Sequence, residues 1–437
     1  MTDRAGRAPA GRAEVVAVPP PGSSSSSSQS SQSSWSSWVD QACGAVSAAG
    51  QWRRPRTFDA FGPSGRLEEG AGGPAARGEP SAVVSFASND YLGLSSHPEV
   101  VDAAHRALDR WGAGSGASRL VTGSRPVHDE LEKAVASWKG CERAVVLPTG
   151  FAANLSVLSV FGTEGAHVFS DELNHASIID GCRLARAQVT VYPHGDLGQL
   201  DVALEAVTGR SVIVSDTVFS MDGDAVDLEE LVRVASRHDA LLVLDEAHAV
   251  LGPELPRTPG PDGPEGRGAD VLRVGTLSKT LGSLGGFVAG PARFIELLVN
   301  RARPYIFTTA PTPADAAAAL AAVGIVRSTE GELLRARLAT HVSRVAGVVG
   351  GLRGVGGSIP CSPIVPMIIG SEADAAAASS ALLAEGLWVP AIRPPTVPSG
   401  TSRLRVTLSA VHTDDQVDRL VAGLERLVAA DRGSRAS

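Results

Sequence analysis

The sequence predicts an α/β protein, with a mostly parallel central sheet in a large domain and a smaller α+β domain C-terminal to it. Three observations carry this expectation. From His128 to Thr276, short apolar runs alternate with helical patterns in a βαβ series. One run, Ala240-Leu241-Leu242-Val243-Leu244, is apolar without a break, as suits a parallel strand covered on both faces. Polar residues recur where the runs end, which is where open α/β sheets bind ligands.

The totals set the frame. The chain has 437 residues, 43% of them hydrophobic and 20% charged, enough for a large core. A net charge of -8 without a basic block argues against nucleic acid as a partner. Cys43, Cys141, Cys182 and Cys361 are scattered, with no C-x-x-C pair, so neither a metal site nor a disulfide framework is expected. No apolar run would span a bilayer, and no signal-peptide hydrophobic region precedes the core, so the expectation is a cytoplasmic protein with no membrane partner.

Residues 1–38 are rich in Pro, Gly and Ser and are expected to be a disordered tail. An N-terminal segment, 39–95, holds Arg53, Arg54 and Arg56 and a strand at Val83-Val84-Ser85-Phe86. That strand runs into the polar turn Ala87-Ser88-Asn89-Asp90-Tyr91. The large domain is assigned to 96–303. Helices are expected from His97-Pro98 to Trp111 and again from His128; between them lies a glycine-rich loop, 112–123, read as a placed loop. Strands follow at 144–147, 166–169, 189–192, 211–216, 240–244 and 271–276, with helices at 152–160, from His175, and at 228–237. The smaller domain, 304–432, begins with linking helices at 311–327 and 330–352. Its strands are expected at 364–369, 387–391 and 404–408, with helices at 373–383 and 414–429.

Chemistry concentrates at the strand ends. Lys279 is the only lysine after Lys139 in a chain that otherwise uses arginine. Alone after an apolar strand, it suits an amine carried into a pocket, where desolvation frees it to form a Schiff base. Gly150-Phe151 follows a strand and opens a helix, so its backbone amides suit a phosphate. Asn174-His175 and the pair Asp245/His248 end two other strands. Pyridoxal phosphate needs such a set: an amine for the aldehyde, an anion site, a carboxylate for the pyridine nitrogen, a flat side chain against the ring, and a donor near the phenolic oxygen. Asp245-Glu246-Ala247-His248 also spells the acidic motif of DEAH-type ATPases. That reading requires G-x-x-x-x-G-K-[ST], and the nearest candidate, 273–280, has Arg273 and Ser278 where glycines belong and lies after the acidic motif.

The stretches 88–94, 112–123 with His128, 149–154, 171–177, 219–224, 245–248 and 276–279 together resemble the α-oxoamine synthases, pyridoxal-phosphate enzymes of fold type I, with the resemblance running from about residue 51 to 427. Ala391-Ile392-Arg393-Pro394-Pro395-Thr396-Val397-Pro398 and Arg403-Leu404-Arg405 resemble the biotin-pathway branch of that family. The resemblance implies decarboxylative condensation of L-alanine with pimeloyl-CoA or a pimeloyl-acyl carrier protein. A glycine-using acetyltransferase of the same family is the alternative. It implies that Lys279 holds the cofactor and moves the Cα proton, His175 stacks on the ring, Asp245 pairs with the ring nitrogen, and His248 and Ser220 lie near the phenolic oxygen. Gly150, Phe151 and Thr276 would serve the phosphate. Arg393 and Asn89 would hold the amino-acid carboxylate, and Thr396 and Arg53 would touch substrate, with Arg54 and Arg56 competing for the last role. A homodimer is implied, in which Thr308 and Thr309 reach the partner's phosphate.

Overall fold

A serine that precedes a helical run can satisfy one of the amides left over at a helix start, and Ser33 does so for Ser36 at 3.2 Å. The capped helix, Ser34–Ala48, buries none of its residues. It takes in residues 34–38, which the composition had assigned to the tail; the serine cap is the local feature that composition overlooks. The computed structural model describes residues 33–49, 51–53, 55–68, 81–163, 165–255, 269–350 and 361–435. The rest of the expected tail, and Arg54, lie outside them. The chain forms two units, residues 1–54 and 55–437, and the second holds everything that follows.

That unit opens with an antiparallel meander of β1 (Thr57–Ala60), β2 (Ser64–Glu68) and β3 (Ser81–Ser85). The seven-stranded central sheet contains β4 (Arg143–Leu147), β5 (Ala166–Asp171), β6 (Gln188–Tyr192), β7 (Arg210–Asp216), β8 (Leu241–Asp245), β9 (Val271–Thr276) and β10 (Gly286–Gly290). Its spatial order is β4-β10-β9-β8-β7-β5-β6. β6, β5, β7, β8 and β9 pair in parallel, as the unbroken apolar runs require. β10 runs antiparallel between β4 and β9, so the sheet is mostly parallel. The sequence reading had not made Phe287-Val288-Ala289 a strand; three apolar residues between glycines give no period to read.

A third sheet, β11-β14-β13, is made from β11 (Ile364–Gly370), β13 (Ala391–Ile392) and β14 (Ser402–Thr407), and β12 (Leu387–Trp388) leaves it to pair in parallel with β3. The strand expected over 387–391 is therefore two strands in two sheets. Pro390 divides them, because it has no amide to donate to a ladder. The helices Pro98–Trp111, Leu228–Arg237, Pro313–Val326 and Glu372–Ala384 agree with the periodicity within a few residues. Phe86, Tyr91 and Phe287 share one buried cluster with Val365, Met367, Leu404 and Val406, so the last sheet packs onto the large sheet through a continuous core.

Candidate active site

Three adjacent strands end at one cavity. β7 delivers Asp216, β8 delivers Asp245, and the turn after β9 delivers Lys279. The cavity measures about 190 Å³, and its walls include Gly150, Phe151, His175, Asp245, His248 and Lys279. Asp216 (5% exposed), Asp245 (6%) and His248 (5%) are buried.

The turn carrying Lys279 is held from behind. Gly282 takes a left-handed φ of +60°, and a side chain there would come within 2.2 Å of the Ser95 backbone nitrogen. The Lys279 amine lies 2.7 Å from His248 Nε2. His248 Nδ1 lies 2.5 Å from the Tyr91 hydroxyl, which donates to Asn89 Oδ1 at 3.1 Å. With the hydroxyl proton so used, His248 Nδ1–H donates to Tyr91, and Nε2 is left to accept from Lys279. Burial, and after it the positive charges of Lys279 and Arg405, push the His248 pKa well below the usual histidine value. Burial also lowers the Lys279 pKa, against the pull of Asp245 and Asp216. Both effects favour a neutral amine beside a neutral imidazole.

Asp245 is fixed by two donors. Asn154 Nδ2 reaches its Oδ2 at 2.6 Å and the Ala247 amide reaches its Oδ1 at 2.9 Å. Asn154 also donates to Ser177 Oγ at 2.8 Å, and that hydroxyl lies 2.7 Å from His175 Nδ1. His175 itself is exposed on the cavity and caps the helix Ala176–Ala185.

At the opposite wall, Thr149 caps the helix Gly150–Phe161 by accepting from Ala152. Gly150 and Phe151 supply the first amides of that helix, which have no intrahelical acceptor. A Cβ at Gly286 would meet the Thr149 carbonyl carbon at 2.4 Å, so β10 can press against this turn only as glycine. Thr276 Oγ1 and Ser278 Oγ lie 2.6 Å apart beside it. Amides at a helix N-terminus together with three hydroxyls form an anion site.

Arg405 on β14 is buried, and its guanidinium donates to Ser220 O (2.6 Å), Thr407 Oγ1 (2.9 Å) and Asn89 Oδ1 (3.2 Å). No carboxylate pairs with it among the described residues. It is the cation next to the Lys279–His248–Tyr91 chain, and the sequence reading gave it no role. Arg393 and Thr396, which that reading did choose, are exposed and outside the cavity wall, joined by a bond from the Thr396 amide to the Arg393 carbonyl. Thr308 is half-buried and Thr309 exposed, and neither lines the cavity of its own chain. Arg53 is exposed in the N-terminal unit. Asn154, Ser177, Asp216 and Ser278 were also missed as site residues. Each stands within a few positions of a chosen residue, and only the fold shows which way its side chain turns.

Residues 81–424 match the model of the aminotransferases of class I and II. The chain belongs to that family. Among its relatives, an 8-amino-7-oxononanoate synthase of Burkholderia thailandensis is 46% identical over 362 residues, covering 78% of this chain and 88% of the relative. A solved structure described as SPT with PLP internal aldimine superposes with a TM-score of 0.78 at 28% identity, covering 91% of this chain and 98% of that one. The 8-amino-7-oxononanoate synthase of Francisella tularensis superposes with a TM-score of 0.66 at 27% identity, over 80% of this chain and 99% of that one. Among the described residues, no helix is long and apolar enough to cross a membrane, and no group of three acidic, histidine or cysteine side chains is placed to hold a metal ion.

Proposed function

We propose that the protein is a pyridoxal-5'-phosphate-dependent acyltransferase that condenses L-alanine with a pimeloyl thioester, releasing CO2 and the free thiol and giving 8-amino-7-oxononanoate for biotin synthesis. The observation that carries this reading is the meeting of Lys279, Asp245 and the helix start at Gly150-Phe151 in one cavity. The residues fit the cofactor by the chemistry of their donors: an amine for its aldehyde, an anion site for its phosphate, a carboxylate for its ring nitrogen and an imidazole for its ring face. When bound, pyridoxal phosphate supplies an electron-withdrawing ring that stabilises negative charge on the substrate's Cα.

The chain's own residues supply the rest. Lys279 would hold the cofactor's aldehyde through Nζ, and the same atom is placed to take the substrate's Cα proton; a lowered pKa suits both tasks. His248, neutral and anchored by Tyr91, orients that nitrogen. Asp245, fixed by Asn154 and Ala247, would pair with the ring nitrogen. His175 would cover the ring face, and Ser220 would serve the phenolic oxygen. Gly150, Phe151 and Thr276 would bind the phosphate, with Thr149 and Ser278 beside them. Arg405, buried with no carboxylate paired to it among the described residues, is the natural partner for the amino-acid carboxylate, with Asn89 between it and Tyr91. Arg393, Thr396 and Arg53 are left to the acyl donor.

A homodimer belongs to the same reading. Leu120 (53% exposed), Val121 (74%) and Phe307 (70%) form apolar surface around the Ala310–Ala117 backbone bond, next to Thr308 and Thr309. A second copy would cover these side chains and bring the two threonines to its phosphate site. The cytoplasm, where thioester donors are found, is the compartment this reading assigns.

The test is a product assay with purified protein and added cofactor. L-alanine or glycine is offered with pimeloyl-CoA, pimeloyl-acyl carrier protein or acetyl-CoA, and products are identified by mass. Alanine with a pimeloyl donor is the expected pair. A preference for glycine with acetyl-CoA would replace this substrate assignment with that of a glycine C-acetyltransferase and leave the cofactor assignment standing.

A further inference from the structure

β7 and β8 run parallel with Asp216 and Asp245 as direct Cα partners. Both acids are buried and both line the cavity. Neighbouring strands lie about 4.8 Å apart. Two buried carboxylates carried side by side on such strands disfavour each other's charge.

Their surroundings differ. Asp245 accepts from two donors, Asn154 Nδ2 and the Ala247 amide. Among the described residues, Asp216 accepts through Oδ2 from the His175 amide at 2.8 Å. The groups facing Asp216 are Asp245 from β8, Asp171 from β5, Lys279 from the turn after β9 and His175 from the loop after β5. Lys279 is the amine among them, but burial weakens its positive charge and Asp245 shares what it carries. We propose that Asp216 is a positioning residue that stays uncharged beside Asp245 and anchors the His175 backbone. The raised pKa of Asp216, caused by burial first and by Asp245 second, agrees with this.

The inference rests on the cofactor reading, because the chemistry that needs Asp245 charged and His175 fixed is the cofactor's. A neutral Asp216 carboxyl is nearly isosteric with an asparagine amide, and Asn Oδ1 can accept from the same His175 amide. Asp216→Asn should therefore retain about tenfold more kcat than Asp216→Ala. Asp216→Ala should lose about tenfold to a hundredfold in kcat, as expected for a displaced ring-facing group.

The second readout is stability against pH, which reports whether residue 216 carries a titrating proton. A buried acid with a raised folded-state pKa holds its proton more tightly folded than unfolded. Its stabilising contribution is present below the unfolded value, about 3.9, and is lost as pH rises through the folded one. The thermal midpoint of full-length wild type, measured with and without pyridoxal phosphate, should fall relative to Asp216→Asn across that window. Asp216→Glu, which keeps an ionisable group, should keep the fall even if its kcat drops. The proposal is overturned if Asp216→Asn and wild type show the same pH dependence, if Asp216→Glu loses it, or if Asp216→Ala turns over like wild type. A wild-type protein without cofactor-dependent turnover would instead refute the cofactor reading, so the two failures are distinguishable.

Discussion

Replacing Asn154 by alanine isolates what holds the acid of the site. Asn154 is 1% exposed, and its amide nitrogen bridges Asp245 and Ser177 at 2.6 and 2.8 Å. The bond to the carboxylate is charge-assisted and contributes about 1.5–3 kcal/mol; the neutral one contributes about 1 kcal/mol. Asn154→Ala should therefore lower the unfolding free energy of the cofactor-free chain by about 2.5–4 kcal/mol, read from urea denaturation at matched slope. Ser177→Ala removes the neutral bond to Asn154 and the contact with His175 Nδ1 but leaves the bond to Asp245, so about 1–2 kcal/mol is expected. The difference between the two variants reports the hold on Asp245. Cofactor affinity should follow it, weakening about tenfold or more in Asn154→Ala and less in Ser177→Ala. If the two variants are equally stable, or if Asn154→Ala binds cofactor as wild type does, Asn154 does not fix Asp245 and the electrostatic picture of the cavity is wrong.

Two further outcomes are expected. Arg405→Met should raise the KM for the amino acid by about tenfold to a hundredfold, the equivalent of one lost charge-assisted contact. Arg393→Met, at an exposed position, should change it much less; the reverse ranking would return the carboxylate to Arg393. His194 lies 3.0 Å from Asp171 and 2.6 Å from Asp224, and these two acids push its pKa up to about 10. A histidine raised above its unfolded value, about 6.5, stabilises fully below that value and loses the contribution as pH rises through about 10. The thermal midpoint of wild type should therefore converge on that of His194→Asn over this window, and parallel curves would refute the pairing.

Much of this site could be read before the fold was known, because fold and chemistry meet at strand ends. The run 271–276 announced β9 by its apolar content, and the lone lysine after it announced the amine. Asp245 and Gly150-Phe151 followed by the same rule. What stayed hidden depends on pairing across the chain. Nothing local in Ser215-Asp216 says that β7 lies beside β8 and faces Asp216 toward Asp245. Arg405 reads as one of two arginines alternating on a strand; only β14's place beside Asn89 and Ser220 distinguishes it from Arg403, which pairs with Asp222. β10 was missed because its strand character comes from filling the gap between β4 and β9 rather than from any pattern of its own.

The central claim is that Lys279 carries the cofactor. Borohydride reduction of the protein loaded with pyridoxal phosphate, followed by proteolysis and mass analysis, tests it most directly. The account expects the reduced cofactor mass on the peptide containing Lys279, and expects Lys279→Ala to fold while carrying no such mass. Label on Lys139 or Lys133 instead, with Lys279 unmodified, would contradict it.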